Sequence, residues 1–174
     1  MKRLLIVVDF QRDFVDGSLG FEKAQELDQR IASKIKEYKN NKDQVIFTFD
    51  THYEDYLNTI EGKYLPIKHC IKETLGHDLY GEVSKLKDDE DLCFEKNTFP
   101  SLDLANYLVD KKYKSVELCG LVSNICVLSN VVMVKSALPN IEIYVDKRLT
   151  KSFDDDLNDA CFKILKGLHV NVVE

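Results

Sequence analysis

The chain has 174 residues, 44% of them hydrophobic and 31% charged, and a formal net charge of -6. This length and composition are typical of one globular domain, which we take to span residues 1–174. The negative charge, with acids and bases interspersed, argues against nucleic acid or an anionic membrane as a partner. No apolar run approaches the roughly 20 residues that a membrane-spanning helix needs.

The first ten residues, MKRLLIVVDF, are basic and then apolar, as they are in a signal peptide. Their apolar core is too short, and Asp9 and further polar residues follow where a small-residue cleavage site would be expected. We therefore interpret this segment as a first β-strand and predict a cytoplasmic protein.

Strand and helix patterns then alternate. In chain order the pattern predicts strand RLLIVVDF, helix QELDQRIASKIKEYKNN, strand QVIFTFD, a mostly irregular segment over residues 51–82, strand DLCFEK, helix SLDLANYLVDKK with Ser101 as its N-cap, strand SVELCGL, helix NICVLSNVVMVKSAL, strand NIEIYVDK, helix DDDLNDACFKILKGL and strand HVNVVE. Continuous apolar strands that alternate with helices indicate a parallel sheet covered on both faces. The fold class is therefore α/β, a doubly wound three-layer α/β/α domain, although periodicity leaves the strand order open.

The five cysteines are odd in number and include no C-x-x-C pair. This pattern predicts neither a disulfide framework nor a zinc ribbon, and reduced thiols fit best. Cys93, Cys119 and Cys161 lie in runs that predict buried strand or helix.

Polar residues follow the predicted strands where a doubly wound sheet binds its ligands. Asp9 ends the first strand, Asp50 the second and Lys96 the third, and the fourth runs into the Gly120–Cys126 turn. Carboxyl ends of parallel strands share one edge, so we expect these side chains to converge. The loop after the first strand and the turn after the fourth both lack the glycine spacing that binds a dinucleotide or a nucleoside phosphate. Side chains must therefore form the site.

Cys126 is the candidate nucleophile. With Ser123 or Asn124 as N-cap it would lie in the first helical turn, where the helix dipole lowers a thiol pKa. Asp9 could take its proton, and Lys96 could stabilise the thiolate. Each residue alone also has an ordinary interpretation, namely a buried core thiol, a helix-capping acid and a solvated lysine.

A second group of polar residues predicts a metal site. Asp50 and His52 share one face of an extended segment, and Glu61 and His69 follow. Two imidazoles with one or two carboxylates suit a divalent ion such as Zn, Mn or Fe. The alternative is a polar loop with surface histidines.

Taken together, DFQRDF, the DTH segment, PIKHCIKET, FEKNTFPS and the GLVSNIC turn resemble, in order, the isochorismatase-like cysteine hydrolases and, within them, the nicotinamidases. The resemblance covers nearly the whole chain. It implies the sheet order 3-2-1-4-5-6, a small-molecule amide substrate, a role in NAD metabolism and a homo-oligomer, dimer or tetramer. It also implies a catalytic triad of Asp9, Lys96 and Cys126.

The same resemblance assigns the surrounding residues. Asp50, His52 and His69 match metal ligands, and Glu61 resembles a fourth ligand of some nicotinamidases. A cis peptide bond before Val122 would direct the amides of Val122 and Cys126 toward an oxyanion. The substrate pocket is assigned to Phe14, Leu121 and Tyr64.

Three departures from the family pattern concern the substrate. Ser123-Asn124 stands where a threonine and an acid are common, Thr51 where a tryptophan is common, and Glu73 where a glycine is common. Tyr53, Tyr56 or Tyr64 would have to replace the tryptophan against a pyridine ring. The alternatives are hydrolysis of another small amide or carbamoyl compound on the same triad, or a non-catalytic ligand-binding domain of this fold. A redox-sensing thiol has less support, because no resolving cysteine lies beside Cys126.

Overall fold

The computed structural model describes all residues, Met1–Glu174. Its single sheet consists of β1 (Leu4–Val8), β2 (Gln44–Asp50), β3 (Leu92–Lys96), β4 (Val116–Leu121), β5 (Ile143–Lys151) and β6 (Asn171–Val173). The order is β3-β2-β1-β4-β5-β6 and every pair is parallel, which confirms the predicted topology.

Eight helices flank this sheet: α1 (Arg12–Val15), α2 (Glu22–Gln25), α3 (Asp28–Asn40), α4 (Ile60–Tyr64), α5 (Gly81–Ser84), α6 (Leu102–Leu108), α7 (Leu128–Ala137) and α8 (Asp155–Gly167). The four predicted helices correspond to the longest of these. The short helices α1, α2, α4 and α5 were not predicted, because a single turn is too brief to show a periodic pattern. None of the helices combines the length and the apolar character needed to span a bilayer.

The core lies on both faces of the sheet, which is why β1 is continuously apolar. Leu4, Ile6 and Val8 belong to one apolar cluster, together with side chains of α7 and α8. Leu5 and Val7 belong to a second cluster on the opposite face, with side chains of α3. Alternate residues of one strand thus face different helical layers.

The structure corrects two predictions about cysteine and helix placement. Cys93 is exposed, because β3 is an edge strand whose side chains are mostly uncovered. Cys119 and Cys161 are buried as predicted, and all five thiols are free. The helix after β4 does not begin at Ser123 or Asn124. Residues Ser123–Val127 form a wider π-helical turn, and α7 starts only at Leu128.

Ser101 caps α6 as predicted, because its side chain accepts a hydrogen bond from Leu104 N at 3.1 Å. Residues 51–82 are more ordered than predicted. They contain α4, the start of α5, and 3₁₀ turns at Tyr56–Asn58 and Leu75–His77.

Gly120 allows β4 to approach β1 closely at the edge that carries the polar residues. Its φ is 108°, and an added Cβ would lie 2.0 Å from the carbonyl oxygen of Val8. We expect Gly120→Ala to lower the free energy of unfolding by about 2–4 kcal/mol, since strain and a backbone clash add. Urea denaturation of both proteins measures the change.

Gly167→Ala is the matched control. Gly167 lies at the end of α8 and an added Cβ there meets nothing within 4 Å. The substitution should be neutral or stabilising by up to about 1 kcal/mol. Equal effects at the two glycines would contradict the tight approach at Gly120.

Candidate active site

Three strand ends converge as the parallel topology requires. Asp9 directly follows β1 and has a φ of 46°, a left-handed conformation that residues other than glycine rarely adopt. Lys96 is the last residue of β3 and extends its side chain past β2 toward Asp9. Cys126 lies in the π-helical turn after β4. All three residues are buried.

Lys96 connects these groups. Its Nζ atom lies 2.6 Å from Asp9 Oδ2 as an ion pair. It donates to the carbonyl oxygen of Thr98 at 3.0 Å, to Asp50 Oδ1 at 3.4 Å and to Cys126 Sγ at 3.8 Å. A single ammonium therefore balances two buried carboxylates and contacts the thiol. Asp9 is further held by Thr48, whose hydroxyl donates to Oδ1 at 2.6 Å.

Burial determines the resting protonation of the thiol. It raises the pKa of Cys126 well above its usual range, against the opposing effect of the Lys96 charge. The predicted lowering of this pKa by a helix N-terminus is therefore wrong, because Cys126 lies in a buried wide turn ahead of α7. Burial also raises the pKa of Asp9, and this effect outweighs the opposing effect of the Lys96 charge. A carboxylate with a raised pKa is a better base for a thiol that must be deprotonated.

The turn that carries Cys126 is held from several sides. The peptide bond between Leu121 and Val122 is cis, as the resemblance implied. The amides of Ile125 and Val127 both donate to the carbonyl oxygen of Val122 at 3.2 Å. Ser123 donates through its hydroxyl to Asn158 Oδ1 of α8 at 2.7 Å. A serine at this position is thus accounted for by a buried hydrogen bond to the neighbouring helix.

Two positioning residues were not identified from the sequence. Asn130 on α7 donates to the carbonyl oxygens of Cys126 at 2.8 Å and Phe99 at 3.1 Å, and it accepts from Ser101 N at 3.0 Å. Gln11 holds both backbone groups of Asp50: its Nε2 donates to the carbonyl oxygen at 2.9 Å and its Oε1 accepts from the amide at 2.8 Å. The position of Gln11, a polar side chain just after a strand that ends in Asp9, could have marked it as a site residue. The sequence around Asn130 has no comparable feature.

The four predicted metal-binding residues lie together, and their ligand atoms are all within 4.8 Å of one another. Asp50 Oδ2 is 3.1 Å from His52 Nε2 and 3.3 Å from His69 Nε2. Glu61 Oε1 is 3.7 Å from His52 and 3.6 Å from His69. His69 Nδ1 is 2.8 Å from the carbonyl oxygen of Ile67, which leaves Nε2 for the cluster.

The electrostatics of this group favour a cation. Burial raises the pKa of Asp50, but Lys96 and the two histidines outweigh burial and hold it well below its usual range. Burial lowers the pKa of His69, but hydrogen bonds with Asp50 and Glu61 raise it to about 10. Two imidazole nitrogens and two carboxylate oxygens are a donor set that fits a divalent ion such as zinc.

Two backbone hydrogen bonds bring the segments of His52 and His69 together. The amide of His52 donates to the carbonyl oxygen of Cys70, and the amide of Lys72 donates to that of His52, both at 2.9 Å. The DTH and HCIK segments therefore run side by side. This pairing joins residues that the sequence separates by a long segment.

Two adjoining cavities open at this edge of the sheet. The inner chamber has a volume of about 350 Å³ and is lined by Cys126, Val122, Phe14, His69 and apolar side chains. The outer chamber has a volume of about 780 Å³, and Tyr64 lines only this one. Leu121 lines neither: it is fully buried in the apolar cluster on the α3 face, since alternation along β4 directs it there. Its assignment to the pocket is therefore corrected.

Comparisons with known proteins identify the family and agree with this fold. Residues 3–174 match the family model of the isochorismatase domain. The nicotinamidase PncA from Bacillus subtilis is 26% identical with a TM-score of 0.87, and the match covers 100% of both chains. The pyrazinamidase/nicotinamidase from Streptococcus mutans is 26% identical with a TM-score of 0.87, over 99% of this chain and 100% of the other. The pyrazinamidase of Pyrococcus horikoshii, solved in complex with zinc, shares the fold at 22% identity and a TM-score of 0.85, over 100% of this chain and 99% of the other. No curated protein sequence matches the chain.

Proposed function

The chain belongs to the isochorismatase family, and from that premise we propose that it is a cysteine-dependent amidase that releases ammonia from a small amide, with nicotinamide as the favoured substrate among simple, unsubstituted amides. The observation that carries the proposal is Cys126 Sγ at the wall of an apolar chamber, 3.8 Å from the ammonium of Lys96, which in turn is paired with Asp9. The solved structures at 26% identity are those of nicotinamidases.

The first half of the reaction forms a thioester. Asp9 takes the proton from Cys126 Sγ, and Lys96 balances the negative charge that passes from carboxylate to thiolate. The sulfur bonds to the substrate carbonyl carbon, and the amides of Val122 and Cys126 donate to the oxyanion. Asp9 returns its proton to the leaving nitrogen, so that ammonia departs when the carbon–nitrogen bond breaks. Loss of one oxyanion donor typically costs about 2.7–4 kcal/mol.

The second half regenerates the enzyme. Asp9 accepts a proton from water, whose oxygen bonds to the thioester carbon. The carbon–sulfur bond then breaks and the proton goes to Cys126 Sγ, which leaves the acid product. Burial lowers the pKa of Lys96, but the charges of Asp9, Cys126 and Asp50 outweigh burial and raise it, so Lys96 keeps its proton throughout.

Asp50, His52, His69 and Glu61 would hold a divalent ion. Such an ion would orient the substrate by accepting a lone pair, for example from a pyridine nitrogen. His69 and Glu61 both line the inner chamber with Cys126, so ion and nucleophile would act on one bound molecule.

The lining of the chambers favours nicotinamide over a carbamoyl amino acid. Neither chamber is lined by a lysine or an arginine. The nearest ammonium, Lys96, is buried against Asp9 and Asp50. A substrate carboxylate would therefore find no lysine or arginine to pair with. Only the proposed divalent ion could balance its charge, and that ion would already lie between the carboxylates of Asp50 and Glu61.

The deciding experiment is an ammonia-release assay of the intact protein with nicotinamide, pyrazinamide, small aliphatic amides and a carbamoyl amino acid. We expect the ring amides to be hydrolysed fastest, and activity to fall when a chelator removes the metal. Preferential hydrolysis of the carbamoyl compound would contradict the substrate assignment. Absence of ammonia from every compound would favour a ligand-binding domain.

We expect Glu61→Gln to weaken zinc binding by at least about tenfold, because it removes one of two anionic donors. Competition with a chromophoric chelator measures the affinity. Glu54→Gln is the matched control: Glu54 is exposed on the same loop, pairs with Lys68 and lies outside the ligand group. Equal affinities for Glu61→Gln and the unaltered protein would remove Glu61 from the ligand set.

We further propose that the protein is cytoplasmic, forms a dimer or tetramer and serves NAD metabolism, as the resemblance implies. Light scattering of the purified protein tests the oligomeric state. A monomer over the micromolar range would contradict it.

A further inference from the structure

The outer chamber is continuous with the inner one. Five residues line both: Glu61, Leu65, Phe99, Ile125 and Phe153. Cys126 lines only the inner chamber, whose volume of about 350 Å³ lies near the lower end of the roughly 300–1,000 Å³ that small-molecule sites span. The outer chamber, at about 780 Å³, is more than twice as large. A single-ring amide bound in the inner chamber at Cys126 would leave the outer chamber filled with water.

The outer chamber carries a concentration of uncovered apolar side chains. Tyr53, Ile60, Tyr64, Phe99 and Phe153 all line it and are 56%, 70%, 89%, 42% and 63% exposed. Scattered exposed apolar residues are ordinary, whereas a contiguous group around a concave surface marks a binding site. Three of these five side chains lie only in the outer chamber, so they cannot contact a small ligand at Cys126.

The charges of the outer chamber limit what it can accept. Its carboxylates are Asp55 and Glu61, and no lysine or arginine lines it. An anionic group would meet these two carboxylates and could find a counter-charge only at the divalent ion proposed beside Glu61, whereas a neutral aromatic group would cover the exposed tyrosine, isoleucine and phenylalanine side chains.

We propose that the preferred substrates are aromatic primary amides that carry a neutral apolar substituent, such as a second ring, and that this substituent occupies the outer chamber. The inference rests on the proposed function, because Cys126 must cleave the amide in the inner chamber. It adds that recognition continues beyond the first ring, against Ile60, Tyr64 and Phe153.

The test compares nicotinamide with its 4-, 5- and 6-phenyl derivatives in the ammonia-release assay of the intact metal-loaded protein. We expect at least one phenyl derivative to exceed nicotinamide in kcat/KM by about tenfold or more, because a ring is removed from water. The same derivative with a carboxylate on the phenyl ring should lose that advantage.

Ile60→Ala locates the effect. We expect it to lower the ratio of kcat/KM for the preferred phenyl derivative to that for nicotinamide by about threefold, as expected for lost apolar contact. Ile164→Ala, at an isoleucine on α8 that is 51% exposed and lies outside both chambers, should leave the ratio unchanged.

The outcomes separate the two proposals. If nicotinamide is hydrolysed and no phenyl derivative exceeds it, or if Ile60→Ala leaves the ratio unchanged, the extended substrate class is overturned while the amidase function stands. If neither nicotinamide nor any phenyl derivative releases ammonia, the amidase function is overturned and the substrate class with it.

Discussion

Cys126→Ala is expected to lower kcat for ammonia release from nicotinamide by at least about 10⁴-fold, since removing the nucleophile of a comparable triad costs on the order of 10⁶. No other cysteine, and no serine or threonine, lines the inner chamber, so no neighbouring side chain can replace the sulfur. Steady-state kinetics with a coupled ammonia assay measures the loss. Zinc affinity should stay unchanged, because the thiol is not among the grouped ligand atoms.

The matched control is Cys93→Ala. Cys93 lies exposed on the edge strand β3, and its removal should leave kcat and stability near those of the unaltered protein. A Cys126→Ala protein that keeps more than about 1% of the turnover would contradict nucleophilic catalysis by this thiol. The metal group would then be the next candidate centre for the chemistry.

Lys96→Met is expected to reduce both activity and stability. The ammonium is the cation that neutralises Asp9 at 2.6 Å and Asp50 at 3.4 Å, all buried. Removing one partner of a buried ion pair leaves an uncompensated charge, which costs about 3–5 kcal/mol. Urea denaturation should show this loss, and ammonia release should fall to background, because proton transfer from the thiol would lose its balancing charge.

Lys72→Met is the comparison. Lys72 forms an exposed ion pair with Glu95, the residue before Lys96, and exposed pairs contribute about 0–1 kcal/mol. Its removal should change the free energy of unfolding only slightly and leave turnover intact. If Lys96→Met unfolded at the same urea concentration as Lys72→Met, the balancing role of Lys96 would be wrong.

The architecture could be predicted because apolar strands alternate with amphipathic helices and because both faces of a parallel sheet must be covered. The sheet then directs the carboxyl ends of β1, β2 and β3 to one edge, so Asp9, Asp50 and Lys96 could be expected near one another. Periodicity alone does not give the order of the strands. That order came from the family resemblance, and the structure confirms it.

The parts that could not be predicted depend on long-range packing. Whether Cys93 is covered depends on β3 being an edge strand. The direction of the Cys126 pKa shift depends on how deeply the thiol is buried. Asn130 acts through three backbone groups from two segments, which sequence spacing does not bring together. The position of Leu121, by contrast, could have been predicted from the sequence, because side-chain alternation along the strand directs it away from the site.

Asp50 is shared between the two halves of the site, since one of its oxygens accepts from Lys96 and the other lies against His52 and His69. A change of metal preference by mutation at this carboxylate would therefore also change the charge around the nucleophile. Metal binding and nucleophilic catalysis therefore cannot be changed independently at Asp50, either in evolution or in protein engineering. A redesign of metal specificity should instead start at Glu61, which lies in the metal group but outside the Lys96 contacts.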